Sequence, residues 1–312
     1  MILILFLAMP LCMAQGEGKF CGKVVDANGP AESVFKITDQ PSWSEEDGVI
    51  GYEFKKDKGK ICVETTPKFG NGQENYIVVV TPKGEPKKIT TGCSEMGPCV
   101  SPPPPVVVNT GVTKWLEEVL KKEQTVTPGV TPKSGLPPPP KMLVPSGKGI
   151  RLVQGKPTLH LFLGECKGCK RNVGICEKVE KDCKPSTAVD QNGIISLKLL
   201  PSKLQANKIY SVVGISENSV ELTVLDKLPP ETELSSPKSL QDVVSQGCKI
   251  AQLGSTSGWN LEAYQQIVEQ INTVKQDQKL KVFSGILEKV KNALQYPNKY
   301  ELNKLTSACT MK

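Results

Sequence analysis

The sequence predicts a multi-domain protein of the β plus α class: two small β-sandwich-like modules separated by a proline-rich spacer, followed by a small C-terminal helical bundle. Three observations predict this class. Short β-branched or aromatic runs bounded by turn residues occupy two stretches, proline is dense between them, and the C-terminal part has helical periodicity. The 312 residues suffice for two or three domains. The expected boundaries are a signal peptide at 1–14, β-modules at 15–100 and 149–230, the spacer at 101–148 and the helical module at 231–312.

The N-terminal segment is interpreted as a cleaved signal peptide. Ile2–Leu7 is an apolar run that Pro10 breaks, and Cys12 and Ala14 place small residues at the two positions that a signal peptidase inspects. The segment is too short for a permanent membrane helix, which needs about 20 apolar residues. We therefore expect a secreted, extracellular protein without a transmembrane segment, beginning at or near Gln15.

An even number of cysteines supports an oxidised, exported chain. Of the 11 cysteines, Cys12 is lost with the signal peptide, which leaves ten. An even set in an exported chain predicts disulfides. The expected disulfide cysteines are Cys21, Cys62, Cys93, Cys99, Cys166, Cys169, Cys176, Cys183, Cys248 and Cys309.

These cysteines form three groups separated by cysteine-free stretches, so we expect each module to be cross-linked internally. The group at residues 166–183 pairs within itself, in an order that the sequence leaves open. Its spacing, C-x2-C-x6-C, also matches half of a binuclear zinc cluster, but the second half is absent, so no metal is expected. The other predicted pairs are Cys21–Cys62, Cys93–Cys99 and Cys248–Cys309.

Strand candidates in both modules are short runs between Gly, Pro, Asn and Asp residues. Those in the first module are Lys23–Val25, Ser33–Ile37, Val49–Phe54, Ile61–Glu64 and Tyr76–Thr81. Those in the second module are Thr158–Leu163, Ile194–Leu199, Ile209–Ile215 and Ser219–Leu225.

The two modules share a phrase at a fixed offset of 134 residues, the difference between Gly193 and Gly59. The phrase contains a turn glycine, an apolar strand, a loop proline and a strand led by tyrosine. We interpret it as an internal repeat with separate disulfide schemes. The matched pairs are Gly59 and Gly193, Ile61 and Ile195, Pro67 and Pro201, Tyr76 and Tyr210, Val78 and Val212, and Val79 and Val213.

Part of this phrase resembles a known kind of module. Residues 190–197 (DQNGIISL), followed by Pro201 and residues 210–213 (YSVV), resemble transthyretin-like and carboxypeptidase-regulatory-like β-sandwich modules. Residues 22–31 (GKVVDANGPA) are similar to the opening strand and turn of those modules. The resemblance implies a binding, spacing or structural module and not an active site.

Between the modules, proline density predicts an extended, semi-rigid spacer. Within it, Thr113–Glu123 has the pattern of a short amphipathic helix, with a capping threonine and favourable Glu–Lys pairs four residues apart. Two interpretations stay open for this helix. It is either a solvated turn in a linker or a docking helix whose Trp115 packs on a neighbouring module.

The C-terminal module has three apolar stripes at helical spacing and a short last helix. Mutual packing of the stripes is the expected arrangement, and an amphipathic helix that faces a partner is the alternative. The stripes are Leu240, Val243, Val244, Cys248 and Ala251; Tyr264, Ile267, Val268, Ile271 and Val274; and Phe283, Ile286, Leu287, Val290, Ala293 and Leu294, with Tyr300, Leu302 and Leu305 in the last helix.

The sequence excludes most catalytic chemistry. His160 is the one histidine, and it alternates with leucines in a strand pattern, so we expect a satisfied or exposed strand residue. A single histidine cannot form a multi-histidine metal site, and no P-loop, dinucleotide fingerprint or nucleophile elbow is present. We expect no catalytic residue, no cofactor and no enzyme, although a pair of carboxylates acting as in glycosidases is a third, weaker alternative.

The net charge of +7 is carried by lysine, because only Arg151 and Arg171 among the 39 basic residues are arginine. Base readout and bidentate phosphate binding favour arginine, so we expect no nucleic-acid partner. The lysines instead favour weak, salt-sensitive attraction to anionic polymers. A cluster of basic residues lies in and beside the cysteine-linked loop 166–183. We interpret it either as a candidate anionic-ligand patch or as a solvated charged loop. Its residues are Lys167, Lys170, Arg171, Lys178, Lys181 and Lys184.

Together these features predict a secreted, non-enzymatic structural or adhesive protein, such as an extracellular matrix component. Its expected partners are other extracellular proteins or anionic polysaccharide. The alternative function is a secreted inhibitor or binder of one defined protein target, using the cysteine-linked loop 166–183.

Overall fold

The computed structural model describes most, but not all, of the chain. The predicted signal peptide and the proline-rich stretches on either side of residues 110–124 lie outside the described residues. The described ranges are 19–28, 35–37, 49–55, 57–63, 75–101, 110–124, 150–162, 170–177, 186–189, 194–199, 204–213 and 220–310.

The first β unit contains two three-stranded antiparallel sheets, with strand orders β1-β4-β5 and β2-β3-β6. The predicted strand Val49–Phe54 is wrong: this segment turns at Gly51, whose φ is +94°, and it bonds irregularly to β1. Within it, Glu53 forms an isolated bridge to Lys23. The strands are β1 (Lys23–Asn28), β2 (Phe35–Ile37), β3 (Lys60–Val63), β4 (Tyr76–Val80), β5 (Pro86–Ile89) and β6 (Gly92–Glu95).

The second β unit contains a five-stranded sheet, ordered β10-β9-β12-β13-β7, and a two-stranded sheet, β11-β8. The pair β13–β7 is parallel and the other pairs are antiparallel. The sequence pattern does not indicate three of its strands, β7, β9 and β10. The strands are β7 (Ile150–Val153), β8 (Thr158–Phe162), β9 (Lys170–Glu177), β10 (Ser186–Val189), β11 (Ile194–Lys198), β12 (Ile209–Val213) and β13 (Val220–Leu225).

The hairpins β4–β5 and β12–β13 lie at the offset of the predicted repeat, since Tyr76 and Tyr210 occupy their first strands and Pro86 and Val220 begin their second strands. The strands flanking the hairpins differ. Strand β4 pairs with β1, the first strand of its unit, whereas β12 pairs with β9, which follows β8. The internal repeat therefore stays a prediction.

Five α-helices are described, and three of them coincide with the three predicted stripes. Ser239 begins the first of these helices by accepting a hydrogen bond from the Asp242 N–H, while the Asp242 carboxylate accepts one from the Lys238 N–H. No described helix is long and apolar enough to cross a membrane. The helices are α1 (Thr110–Gln124), α2 (Leu240–Ser255), α3 (Asn260–Gln276), α4 (Ser284–Gln295) and α5 (Leu302–Thr310).

Helix α1, from the predicted spacer, is docked and not solvated. Its Trp115 is buried, and the indole N–H donates to the Tyr300 carbonyl oxygen at 3.0 Å. On the other side, the Glu117 carboxylate accepts hydrogen bonds from the N–H groups of Val49 and Ile50, at 3.0 and 2.7 Å. Of the two interpretations of this helix, the structure shows the docking helix, which joins the first β unit to the C-terminal helices.

Three disulfides are seen between described cysteines, and two of the predicted pairings are wrong. Cys62 and Cys93 face each other in the β3–β6 register and are bonded. Cys21 is bonded to Cys99, because the bridge between Phe20 and Val100 brings the two ends of the unit together. The pair Cys248–Cys309, between α2 and α5, is confirmed.

Cys176 is also disulfide-bonded. The other cysteines of its group, Cys166, Cys169 and Cys183, lie outside the described residues, so pairing within this group stays a prediction.

Candidate functional site

A buried ion pair joins the first β unit to the helical bundle. The Lys289 ammonium, on α4, donates to the Asp26 carboxylate at 2.6 Å and to the Ala27 carbonyl oxygen at 3.1 Å. Both charged side chains are almost wholly removed from solvent. The Tyr76 hydroxyl donates to the second oxygen of Asp26 at 3.0 Å. The carboxylate therefore has a hydrogen bond at each oxygen, which a buried charge requires.

The same surroundings raise the pKa of Tyr76 far above its ordinary value. Burial is the largest cause, because it disfavours the phenolate, and the neighbouring Asp26 carboxylate adds to it. Tyr76 is therefore a permanent donor at physiological pH and not an acid or a nucleophile. Its role here is to donate a hydrogen bond to the Asp26 carboxylate.

Gly285 permits the close approach of α4 to this pair. A Cβ at this position would lie 2.2 Å from the Tyr76 hydroxyl oxygen and 2.4 Å from an Asp26 carboxylate oxygen. Neither atom can move without breaking a buried hydrogen bond. The first turn of α4 thus lies directly against the β1–β4 pair.

A cleft with a volume of about 260 Å³ opens beside this contact, between strands β1, β4 and β5 and the α3–α4 corner. We call it the junction cleft. Four of its lining residues are lysines from three separate parts of the chain, and Glu288 is the one carboxylate among its lining residues. Its polar lining includes Asn28, Tyr76, Lys88, Lys275, Lys281, Ser284, Glu288, Lys289 and Asn292.

Charges in the junction cleft are held in place by one another. The Glu288 carboxylate accepts hydrogen bonds from Lys275, at 2.8 Å, and from Lys291. Burial by itself raises the pKa of Glu288, but these two ammonium groups outweigh it and hold the pKa below its ordinary value. Lys88 lies over the Tyr76 ring, 4.3 Å from its centroid, in a cation–π contact.

The helical bundle makes a second polar junction, with the second β unit. The Gln265 side chain on α3 accepts from the His160 N–H and donates to the His160 carbonyl oxygen, both at 2.7 Å. Nearby, the buried Glu262 accepts from the Val153 N–H at 2.9 Å and pairs with Lys156 at 3.1 Å. Helix α3 therefore satisfies main-chain groups that a further strand would otherwise bind.

His160 lies where the sequence pattern expects it, in a strand with its ring away from the buried leucines. Its Nδ1 is 2.9 Å from Ser196 Oγ, across the β8–β11 pair. A Ser-His nucleophile also needs an orienting group on the other ring nitrogen. Among the hydrogen bonds of the described residues, none joins this ring to a carboxylate, so we interpret the contact as a cross-strand pair.

The group Cys21, Asp57 and Cys99 lies within metal-binding distance, since their ligand atoms are all within 4.8 Å of one another. Both sulfurs belong to one disulfide and cannot act as thiolate ligands. Asp57 instead accepts a hydrogen bond from the Cys99 N–H at 2.7 Å. The arrangement is structural.

The predicted anionic-ligand patch lies largely outside the described residues. The backbone of Lys170 and Arg171 belongs to strand β9, and Lys167, Lys178, Lys181 and Lys184 are not described. Sequence reasoning missed the lysines of the junction cleft as a site, because they come from distant segments. Their one signal in the sequence is the general excess of lysine.

Comparison with protein-family models and with curated proteins found no match for this chain. The resemblance to transthyretin-like and carboxypeptidase-regulatory-like modules is therefore carried by the quoted residues alone.

Proposed function

We propose that this chain is a secreted, non-enzymatic structural or adhesive protein, acting as an extracellular matrix component that binds other matrix molecules. The observation that carries the proposal is the junction cleft. A lysine-lined concavity is formed by strands and helices that the buried Asp26–Lys289 pair holds in a fixed relation. A fixed cationic surface suits adhesion to an anionic matrix, because little ordering is needed on binding.

The disulfides support an extracellular setting, since such bonds persist in oxidising compartments and are rare in the cytosol. Two of them lie within the first β unit and one within the helical bundle. A matrix component must keep its fold for long periods without chaperones, and cross-links raise the free energy of unfolding.

The alternative, an inhibitor using loop 166–183, is less favoured. Residues 170–177 of that loop form strand β9, which pairs with β10 on one side and with β12 on the other. Val173 and Ile175 are buried in this strand. A segment whose main chain is paired on both sides cannot present its backbone to a protease in the extended manner of an inhibitory loop.

Fractionation of the source tissue tests the proposal. We expect the protein in the extracellular insoluble fraction, with an N-terminus at or near Gln15, and its release as salt concentration rises. A stable one-to-one complex with a protease in the soluble fraction would support the inhibitor instead. Recovery from the cytosol with Met1 retained would contradict both.

A further inference from the structure

We propose that the junction cleft binds one sulfated or carboxylated sugar unit of an anionic polysaccharide, an inference that rests on the proposed function and gives it a ligand and a site. The cleft is the concave surface at which lysines from the first β unit and from the helical bundle meet. Its charge, its donors and its size each favour such a ligand.

The charge of the junction cleft is positive when its carboxylates are counted with its lysines. Four lysines line it, while the carboxylates opposing them are Glu288 and, behind Lys289, Asp26. Lys289 forms an ion pair with Asp26, and Lys275 forms one with Glu288. These two pairs therefore contribute to the structure of the cleft. Lys88 and Lys281 are both exposed, and they lie on two elements that are in contact, one on β5 and the other at the α3–α4 corner. A concave, partly dry wall strengthens their field compared with lysines on a flat surface.

A helix N-terminus and a neutral amide accompany these charges. Helix α4 begins at the cleft with Ser284 and Gly285, and the Ser284 N–H and hydroxyl groups both donate to the Lys281 carbonyl oxygen. The N-terminal end of α4, where the helix dipole is positive, lies at the cleft. The amide of Asn292 lies in the same lining and can serve the hydroxyl groups of a sugar.

The size of the cleft allows it to hold one sugar unit and not a longer stretch of polysaccharide. Its volume of about 260 Å³ lies below the range of sites that enclose a drug-sized molecule, which is about 300–1,000 Å³. One sugar ring with its anionic substituent fits this space, and the rest of a polymer would continue along the exposed lysines outside it. A polymer therefore binds through repeated, individually weak occupancy of the cleft.

Protection of individual lysines from acetylation measures occupancy of the cleft directly on the intact protein. The mature chain is incubated at low salt with a heparin oligosaccharide of defined length, its lysines are acetylated briefly, and the modified peptides are quantified by mass spectrometry. We expect acetylation of Lys88 and Lys281 to fall several-fold. Lys83 and Lys279, exposed neighbours that do not line the cleft, should change little.

Matched variants give an independent readout. Lys88→Gln with Lys281→Gln should weaken heparin binding about tenfold or more, as expected for loss of charge-assisted contacts. Lys83→Gln with Lys279→Gln removes the same charge from positions close by in the chain and should weaken binding by less than about threefold through the diffuse field alone. Circular dichroism of both double variants controls for folding.

Three outcomes would overturn the assignment. Equal loss in the two double variants would mean that a diffuse cationic field binds heparin and that the cleft is not a site; the matrix function would then depend on tissue fractionation alone. Equal protection by poly-glutamate at matched charge would assign the cleft to an acidic protein. Protection by inorganic sulfate alone, at the same ionic strength, would mean a site for a free anion and not for a polymer.

Discussion

At the scale of single residues, the pair Asp26–Lys289 determines how the first β unit meets the helices. Removing two charges from water costs several kcal/mol for each ion, and only close pairing and further hydrogen bonds offset it. Here Tyr76 and the Ala27 carbonyl oxygen supply those bonds. The pair therefore specifies one docking position, because any shift would leave a charge buried alone.

Loss of the buried Lys289 should be far more damaging than loss of an exposed lysine on the same β unit. Lys289→Met leaves the Asp26 carboxylate buried without a counter-ion, and we expect unfolding free energy to fall by about 3–5 kcal/mol in urea denaturation. Lys23→Met, on the same strand β1, removes the exposed pair with Glu53 and should cost about 1 kcal/mol or less. Similar losses in the two variants would show that the Asp26–Lys289 pair does not behave as a buried one.

His160 gives a pH dependence that can be isolated, because it is the only histidine. Burial is the main cause that lowers its pKa below the ordinary 6.5, and Lys156 adds to this while Glu269 opposes it. The unfolded chain then binds a proton at a higher pH than the folded one. Stability should therefore fall as pH decreases below about 6.5.

NMR titration of the single imidazole and urea midpoints between about pH 7.5 and 5.5 measure this effect. His160→Gln should flatten the stability profile over that window. A folded-state pKa at or above the ordinary value of about 6.5 would contradict the prediction, and so would an unchanged slope in the variant.

At the scale of elements, α3 completes the β8–β11 sheet through a side chain. Gln265 provides one acceptor and one donor to the main chain of His160, as a neighbouring strand would. Strand β8 would otherwise present an unpaired edge, which is a template for pairing with another chain. A glutamine on a helix thus replaces a strand.

Gln265→Ala should therefore cost about 1–3 kcal/mol, since it leaves two main-chain groups without partners. Gln276→Ala, on the same helix but exposed, should cost less than about 0.5 kcal/mol. Hydrogen exchange locates the effect: we expect the His160 amide to lose protection in the first variant alone. Unchanged exchange at His160 would contradict the role assigned to Gln265.

The helices could be predicted closely and the strands only in part, for physical reasons. An apolar stripe at helical spacing is visible within one short segment of sequence, and it predicts helices α2, α3 and α4. Strand β9 (KRNVGICE) carries a glycine and charged residues at its start, so its pairing with β10 and β12 depends on tertiary context that propensity does not contain.

Two of the cysteine pairs are predicted wrongly for the same reason, because they depend on tertiary contacts. Cys62 meets Cys93 through the β3–β6 register, and Cys21 meets Cys99 through contact between the two ends of the unit. Neither contact is encoded by nearness in sequence. The junction cleft depends likewise on β5 meeting the α3–α4 corner, and no local pattern of lysines indicates it.

At the scale of the whole molecule, the helices lie between the two β units and contact both. Strand β1 meets α1 and α4, while β7 and β8 meet α3. The edge-to-face contact of Phe162 with Tyr296, 5.3 Å between ring centroids, adds an apolar link to the second unit. The described parts thus share one continuous core.

We therefore expect a single cooperative unfolding transition. In a Trp43→Phe variant, fluorescence of the buried Trp115 and Trp259 reports the helical region, and far-UV circular dichroism reports the whole chain. The two thermal curves should coincide, with calorimetric and van't Hoff enthalpies equal. A separate early transition seen by only one probe would indicate that a β unit unfolds alone. In Lys289→Met, the midpoint of both curves should decrease together.

The ion pair has a consequence for the order of events on the ribosome. Asp26 and Lys289 are separated by 263 positions, so at about 5–20 residues per second the carboxylate waits roughly 13–50 s for its ammonium partner to be synthesised. Until then the first β unit can collapse but cannot bury Asp26 in its final environment. The first β unit is therefore synthesised first, but β1 reaches its native environment only after Lys289 has been added. Nascent chains stalled before Lys289 should remain protease-sensitive at β1.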